Sequence, residues 1–259
     1  MPFSTSSLLD FRRVHLYPEP EASSINTIDL DKMIENVAQV FPNCVFEVHK
    51  SFFQRHHNAG NDDIERARIS DIKQPFERQP KEHQDFDLYG RPTALYDGFE
   101  LQRIVAPKFQ SDVVHIIFTG LLTCTFSEDD WRYHARAVIC GTPSIISTTG
   151  IIEAPAKPRE FYVSQFGRDA NSLKKRLAGR FIDYGDRRMT EVATGYVLQA
   201  LFFFVTGGEP FCESDSCRLY NAHWQEDLIR TQVENPALCL KHRSLANKFS
   251  RRLAARARI

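Results

Sequence analysis

"TEVATGYVLQALFFFVTGG", residues 190–208, is the stretch from which the rest of the chain can be read. Val192, Tyr196, Val197, Ala200, Leu201 and Phe204 recur at helical spacing, and Phe202 and Phe203 carry the apolar surface almost all the way round. A helix of that kind belongs at the centre of a protein, not on its surface. Thr190 is placed to cap it, Glu191 sits in its first turn, and Gly207-Gly208 supply the stop.

Upstream of this helix the pattern changes to strands. "RVHLYPEP" reads as a first strand ended by prolines, "TIDLDKMIENVAQVF" as an amphipathic helix, and "CVFEVHKSFF" as a second strand. A β-α-β opening of this kind predicts a mixed or parallel sheet with helices packed on it. Residues 54–93 are polar and rich in breakers, so they read as a long connection with one short helix near 62–69. "GFELQRIVA" predicts a helix and "DVVHIIFTG" the best strand in the chain. "LLTCTF", "HARAVICG" and "PSIIST" follow in quick succession around the acidic turn "SEDDWRY", which implies hairpins and a sheet that is not purely parallel. "ANSLKKRLAG" predicts a further helix at 170–179. The fold expected is a single α/β domain over 1–242 with a mixed sheet, followed by a basic tail over 243–259.

The chain carries 33 basic and 33 acidic side chains, so no global field favours a nucleic acid or a membrane surface. Only "RSLANKFSRRLAARARI" at the end is one-sided, with basic residues and no acidic one. Its Leu245, Phe249, Leu253 and Ala257 make a thin apolar stripe, which suits a packed terminal helix and leaves a cationic face for RNA or an acidic protein. No uninterrupted apolar run reaches membrane-spanning length, and the first residues lack a secretory pattern. A cytoplasmic location is expected, where six cysteines serve as thiols or metal ligands and not as a disulfide framework.

After the central helix, "FCESDSC" (211–217) and "LCLKH" (238–242) set Cys212, Cys217, Cys239 and His242 in a C-x4-C-x21-C-x2-H pattern. Thiolates and an imidazole are the donors zinc prefers, and closely spaced pairs let one loop supply two corners of a tetrahedron. With all four corners filled by protein no position is left for water, so the expected Zn2+ is one structural ion. The competing reading is buried thiols beside a surface histidine, the role expected of Cys44, Cys124 and Cys140 on predicted strands.

The long apolar helix, the glycine turn and the Cys-x4-Cys that follows resemble the archaemetzincins over about residues 110–242. These are zinc peptidases in which a catalytic H-E-x-x-H-x-x-G-x-x-H runs into a structural cysteine site. The blocks "YHARAVICGTPSIISTTGIIEAPAKP" (133–158) and "CRLYNAHWQE" (217–226) also look like an uncharacterised archaeal family labelled as metallopeptidases. The resemblance implies a zincin-like, metzincin-like fold. It also places Leu201, Phe202, Val205 and Phe211 where the zinc-binding histidines and the general-base glutamate would stand, with Gly208 matching the glycine and Leu219 at the methionine position. These apolar residues hold no zinc and move no proton. The implied protein is a pseudoenzyme: a zinc-binding scaffold for a peptide or protein segment, with the possibility of an enzyme left open.

Two clusters offer a displaced hydrolytic site. "EDDWRYHAR" brings Asp130, His134 and Arg136 to a turn, and "YNAHWQED" puts His223, Glu226 and Asp227 at a predicted helix start. The blander readings are a charged hairpin tip and a surface ion pair. His115, His134 and His223 meeting in space would make such a site real. His56-His57 and the 183–188 loop carry weaker signals, and the proline-studded "EAPAKPREFY" reads as a rigid connector over the surface.

Overall fold

The computed structural model describes residues 11–18, 28–52, 61–73, 94–106, 113–164 and 176–256. In chain order the elements are β1 (Arg13–Tyr17), α1 (Leu30–Val40), β2 (Val45–Val48), α2 (Asn61–Glu65), β3 (Leu95–Asp97), α3 (Gly98–Val105), β4 (Val114–Thr119), β5 (Leu122–Ser127), β6 (Arg132–Arg136), β7 (Val138–Ile139) and β8 (Ser144–Ser147). Then come α4 (Thr148–Glu153), α5 (Arg159–Ser164), α6 (Met189–Thr206), α7 (Gln225–Ile229), continued by a π-helical turn over Arg230–Glu234, and α8 (Leu240–Arg256).

The main sheet has the order β2-β1-β4-β8-β7. Its first four strands are parallel and β7 alone runs antiparallel at the edge. A smaller sheet, β3-β5-β6, combines a parallel and an antiparallel pair. The protein is therefore a mixed α/β domain, as the β-α-β opening and the crowded middle strands require.

Period-two alternation divides the main sheet into two faces. Val14, Leu16, Val114, Ile116 and Phe118 point to the principal core, where α1, α6 and α8 contribute Met33, Val37, Leu198, Phe202, Phe249 and Leu253. The other face is covered by α3, whose Leu101 and Val105 meet Ile145 and Ile117.

The helix α6 is buried nearly all round, as its sequence demands. Length and composition alone would let it cross a membrane, yet 83% of it lies inside the protein. Gly207 ends it in the left-handed region at φ 76°, with its N–H donating to Phe203 O. Thr190 does not cap it: the helix starts a residue earlier, and the Thr190 hydroxyl accepts instead from the Asp29 amide, tying α1 to α6.

"HARAVICG" is not one strand. The chain changes sheets at Ala137, whose carbonyl accepts from Ser147 N, so β6 pairs with β5 while β7 pairs with β8. The strand β3, too short to show a period, was not legible at all. In the 62–69 region the helix stops at Glu65, and Arg68 then bridges to Tyr96. The helix expected at 170–179 and the His56-His57 pair lie wholly or largely outside the described residues.

The connector "EAPAKPREFY" is no surface strap. Lys157 is fully buried, donating to Ile152 O at 3.1 Å and pairing with Glu153 at 3.0 Å. Helix α8 runs through the boundary at 242/243, burying His242, Ala246, Phe249 and Leu253 and leaving Lys241, Arg243, Lys248, Arg251 and Arg256 exposed.

Candidate metal centre and cleft

The loop after α6 folds back on itself. Cys212 N donates to Leu219 O, and Cys217 N to Ser214 O in a tight turn. Cys239 immediately precedes α8 and His242 lies in its first turn, so helical geometry brings both to the loop. The four donor atoms lie within 4.8 Å of one another. Cys212 Sγ is 4.0 Å from Cys239 Sγ, while His242 Nδ1 is 3.7 Å from Cys217 Sγ and 3.1 Å from Cys239 Sγ.

Bond lengths of about 2.3 Å to sulfur and about 2.1 Å to nitrogen give tetrahedron edges of roughly 3.8 Å between sulfurs and roughly 3.5 Å from sulfur to nitrogen. The residues present therefore fit one zinc-sized ion. Electrostatics favour the ligating forms at Cys239 and His242 and oppose the thiolate at Cys217. At Cys239 burial acts to raise the thiol, but the His242 amide and the neighbouring thiols outweigh it and hold the value below normal. The Cys239 N–H also reaches Cys217 Sγ at 3.5 Å. Burial pushes the Cys217 thiol up to about 12. The His242 imidazole is pushed down, by burial and then by Lys241, toward the neutral form that ligates a metal.

Leu219 is fully buried behind this loop. Arg218 is held between α6 and the π-helical turn, with Nη2 donating to Glu191 O at 2.9 Å and Nε to Gln232 Oε1 at 3.4 Å, and burial lowers it to about 10.

A cleft of about 440 Å³ opens beside α6. Its walls are the β6–β7 segment from Ala135 to Cys140, Tyr196 and Phe203 of α6, and Phe211, Ala222 and His223 beyond it. Of the four motif positions only Phe211 reaches this cleft; Leu201, Phe202 and Val205 point into the principal core. Phe202 packs against Phe41 at 5.4 Å between ring centres and edge-on to His242 at 5.3 Å. The apolar residues thus do more than lack ligand atoms: their side chains face away from the cleft.

The displaced-site candidates do not converge. His134 Nε2 bonds Asp130 Oδ1 at 2.8 Å on a hairpin tip, which holds the Asp130 carboxyl below its usual range. Glu226 is exposed and bound by Arg180. His223 precedes α7 and shares no helix face with Asp227, which pairs instead with Arg230. His115 is buried with its Nδ1 3.1 Å from the Tyr17 hydroxyl. Among the described residues two groups could hold a metal, and neither contains His134 or His223.

The second group is His15, Glu47 and His49, and the sequence reading missed it. Its only signal was the alternation Glu47-x-His49 on one predicted strand and His15 on another, legible only once β1 and β2 are known to pair.

Residues 10–249 match the model of the "Probable metallopeptidase family (DUF6775)", and the chain belongs to that family. Among solved structures it is similar to archaemetzincin from Methanopyrus kandleri, at a TM-score of 0.48 and 10% identity, over 96% of this chain and 99% of that one. No curated protein matches it.

Of the three remaining cysteines, Cys44 and Cys140 are pushed up to about 12 by burial, and Cys124 is pushed higher still, first by burial and then by Asp97. They are inert packing residues.

Proposed function

We propose that this metallopeptidase-related protein is a zinc-stapled scaffold that binds an extended peptide or protein segment along β7 without cutting it. The observation that carries the reading is the orientation of α6. The positions that would hold a catalytic zinc lie in the apolar core, and the cleft shows Tyr196, Phe203, Phe211, Arg136 and His223 instead. One Zn2+ on Cys212, Cys217, Cys239 and His242 would tie the 212–217 loop to α8 and hold the cleft's far wall; with no open position it supplies structure and no activated water. Thiolate ligation of this kind suits a reducing compartment such as the cytoplasm.

The recognition element would be β7, the edge of the main sheet. Ser147 N donates to Ala137 O, and ladder alternation then turns the Val138 peptide groups outward. An extended segment could add there as a further strand, its side chains alternating between the Tyr196–Phe203 wall and solvent. Arg136, half-buried beside it, would receive an acidic side chain or a terminal carboxylate.

The test is selection of peptides from a random library, followed by fluorescence anisotropy with the tightest. Val138→Pro removes one outward N–H at an edge position that tolerates proline. The reading expects about tenfold weaker binding, the cost of roughly one ladder hydrogen bond, with unchanged melting temperature. Selection of no peptide, or equal binding by V138P, would refute it.

A further inference from the structure

The face of the main sheet opposite the zinc loop carries an unusual group. Parallel pairing sets His15 of β1 level with Glu47 of β2 and with His115 of β4. Two residues on, where the same face recurs, stand Tyr17 and His49. The neighbouring positions Val14, Leu16, Val114 and Ile116 all go to the core on the other side. Three imidazoles, a phenol and a carboxylate thus gather where a covered sheet face ordinarily carries Val or Ile.

The geometry points to a second metal site: His15, Glu47 and His49 bind one divalent transition-metal ion of the zinc class, with a fourth position that no described residue fills. His15 Nε2 lies 3.3 Å and His49 Nε2 3.8 Å from the same oxygen, Glu47 Oε2. Bonds of about 2.0–2.1 Å to nitrogen and oxygen require ligand separations of roughly 3.3 Å in a tetrahedron, so a small inward movement of His49 closes the site. The His49 Nε2 atom is shut off from solvent and makes no hydrogen bond to the described residues. An imidazole nitrogen left so costs about 1–3 kcal/mol, and a metal ion would take up its lone pair.

The rings are already held. His15 and His49 lie 4.3 Å apart between centres, Tyr17 stacks on His49 at 5.1 Å and 19°, and His115 meets His15 edge-on at 5.3 Å. The Tyr17–His115 hydrogen bond fixes that floor. Among the described residues two imidazoles and a carboxylate supply three ligands and leave the fourth corner free, unlike the closed Cys3His set. Glu47 is 45% exposed at its side chain, so the group lies at the edge of the covered face. Mixed nitrogen and oxygen donors select zinc, cobalt or iron over magnesium or calcium.

The experiment is titration of the full chain with Co2+ after its exchangeable metal has been removed by chelator, read by absorption and calorimetry. Cobalt on thiolates gives an intense near-ultraviolet charge-transfer band, whereas cobalt on nitrogen and oxygen gives only weak visible bands. The two sites therefore report separately. Two cobalt ions per chain are expected, the second without new charge-transfer intensity. His49→Ala and His15→Ala should each abolish this second event, and Glu47→Gln should weaken it at least tenfold, with the thiolate band unchanged. The thiolate band also shows that each variant is folded around the first site. Binding of a single ion at micromolar cobalt, or a second ion retained in both histidine variants, overturns the inference.

Discussion

Replacing Phe202 with Glu puts a carboxylate where the archaemetzincin resemblance would place a general base, and the packing around Phe202 says it will damage the protein instead of activating it. Phe202 is fully buried against Phe41 and His242. Loss of the aromatic burial costs about 2–3 kcal/mol. A lone carboxyl there must stay neutral, which at pH 7 costs about 3.7 kcal/mol, since its ordinary value is about 4.3 and each unit is worth about 1.36 kcal/mol. The sum, about 6 kcal/mol, is comparable with the whole stability of an ordinary domain. Phe203→Glu on the next position points into the cleft and should cost roughly 1 kcal/mol, because its carboxylate keeps access to water. The assay is urea unfolding of both variants at pH 7 and pH 5. A buried carboxyl has a raised folded value, so its destabilisation grows as pH rises above its unfolded value. F202E should therefore regain about 2.7 kcal/mol between pH 7 and pH 5, and F203E should barely move. If F202E matched F203E in stability, the account of how α6 is turned would be wrong.

Cys217→Ser should release the metal of the Cys3His site and lower the melting temperature by several degrees, measured by metal analysis and calorimetry; an unchanged metal content and melting temperature would remove the staple. Gly150→Ala adds a Cβ that would stand 2.2 Å from the Arg136 carbonyl, which is backbone and cannot rotate away. Despite a helix-propensity gain of about 1 kcal/mol, it should destabilise by about 1–3 kcal/mol in urea unfolding, and it should loosen the cleft wall. At Asp186 burial alone would raise the carboxyl, yet hydrogen bonds from the Arg188 side chain and amide hold it below its normal 3.8. Its contribution is present above that ordinary value and is lost as pH falls through the lower folded one. Asp186→Asn should therefore be less stable than the parent at pH 6, with the gap closing in strong acid.

The central helix and the meeting of Cys212, Cys217, Cys239 and His242 were legible because their information is local. An all-round apolar run leaves α6 nowhere but the core, and ligand pairs five and three residues apart need only a turn or a helix start to meet. The direction each α6 side chain takes was not legible. The family resemblance set Leu201, Phe202 and Val205 at the positions of the catalytic ligands, and only the packing of α1 and α8 shows that they face into the core. The break at Ala137 was hidden for a similar reason, since "HARAVICG" keeps strand character while changing partners. His15, Glu47 and His49 escaped because their meeting is set by the register of two parallel strands, which no single stretch of sequence records. Lys157, placed by composition on a surface connector, is buried because Glu153 and the Ile152 carbonyl receive its charge.

The central claim is that the cleft binds without cutting. The most direct test incubates the zinc-loaded protein with a diverse peptide library and follows both retention and cleavage by mass spectrometry. The account predicts a retained subset recovered intact, with retention lost in V138P. Cleavage at a consistent sequence, suppressed by chelator, would contradict it and make this chain a working peptidase.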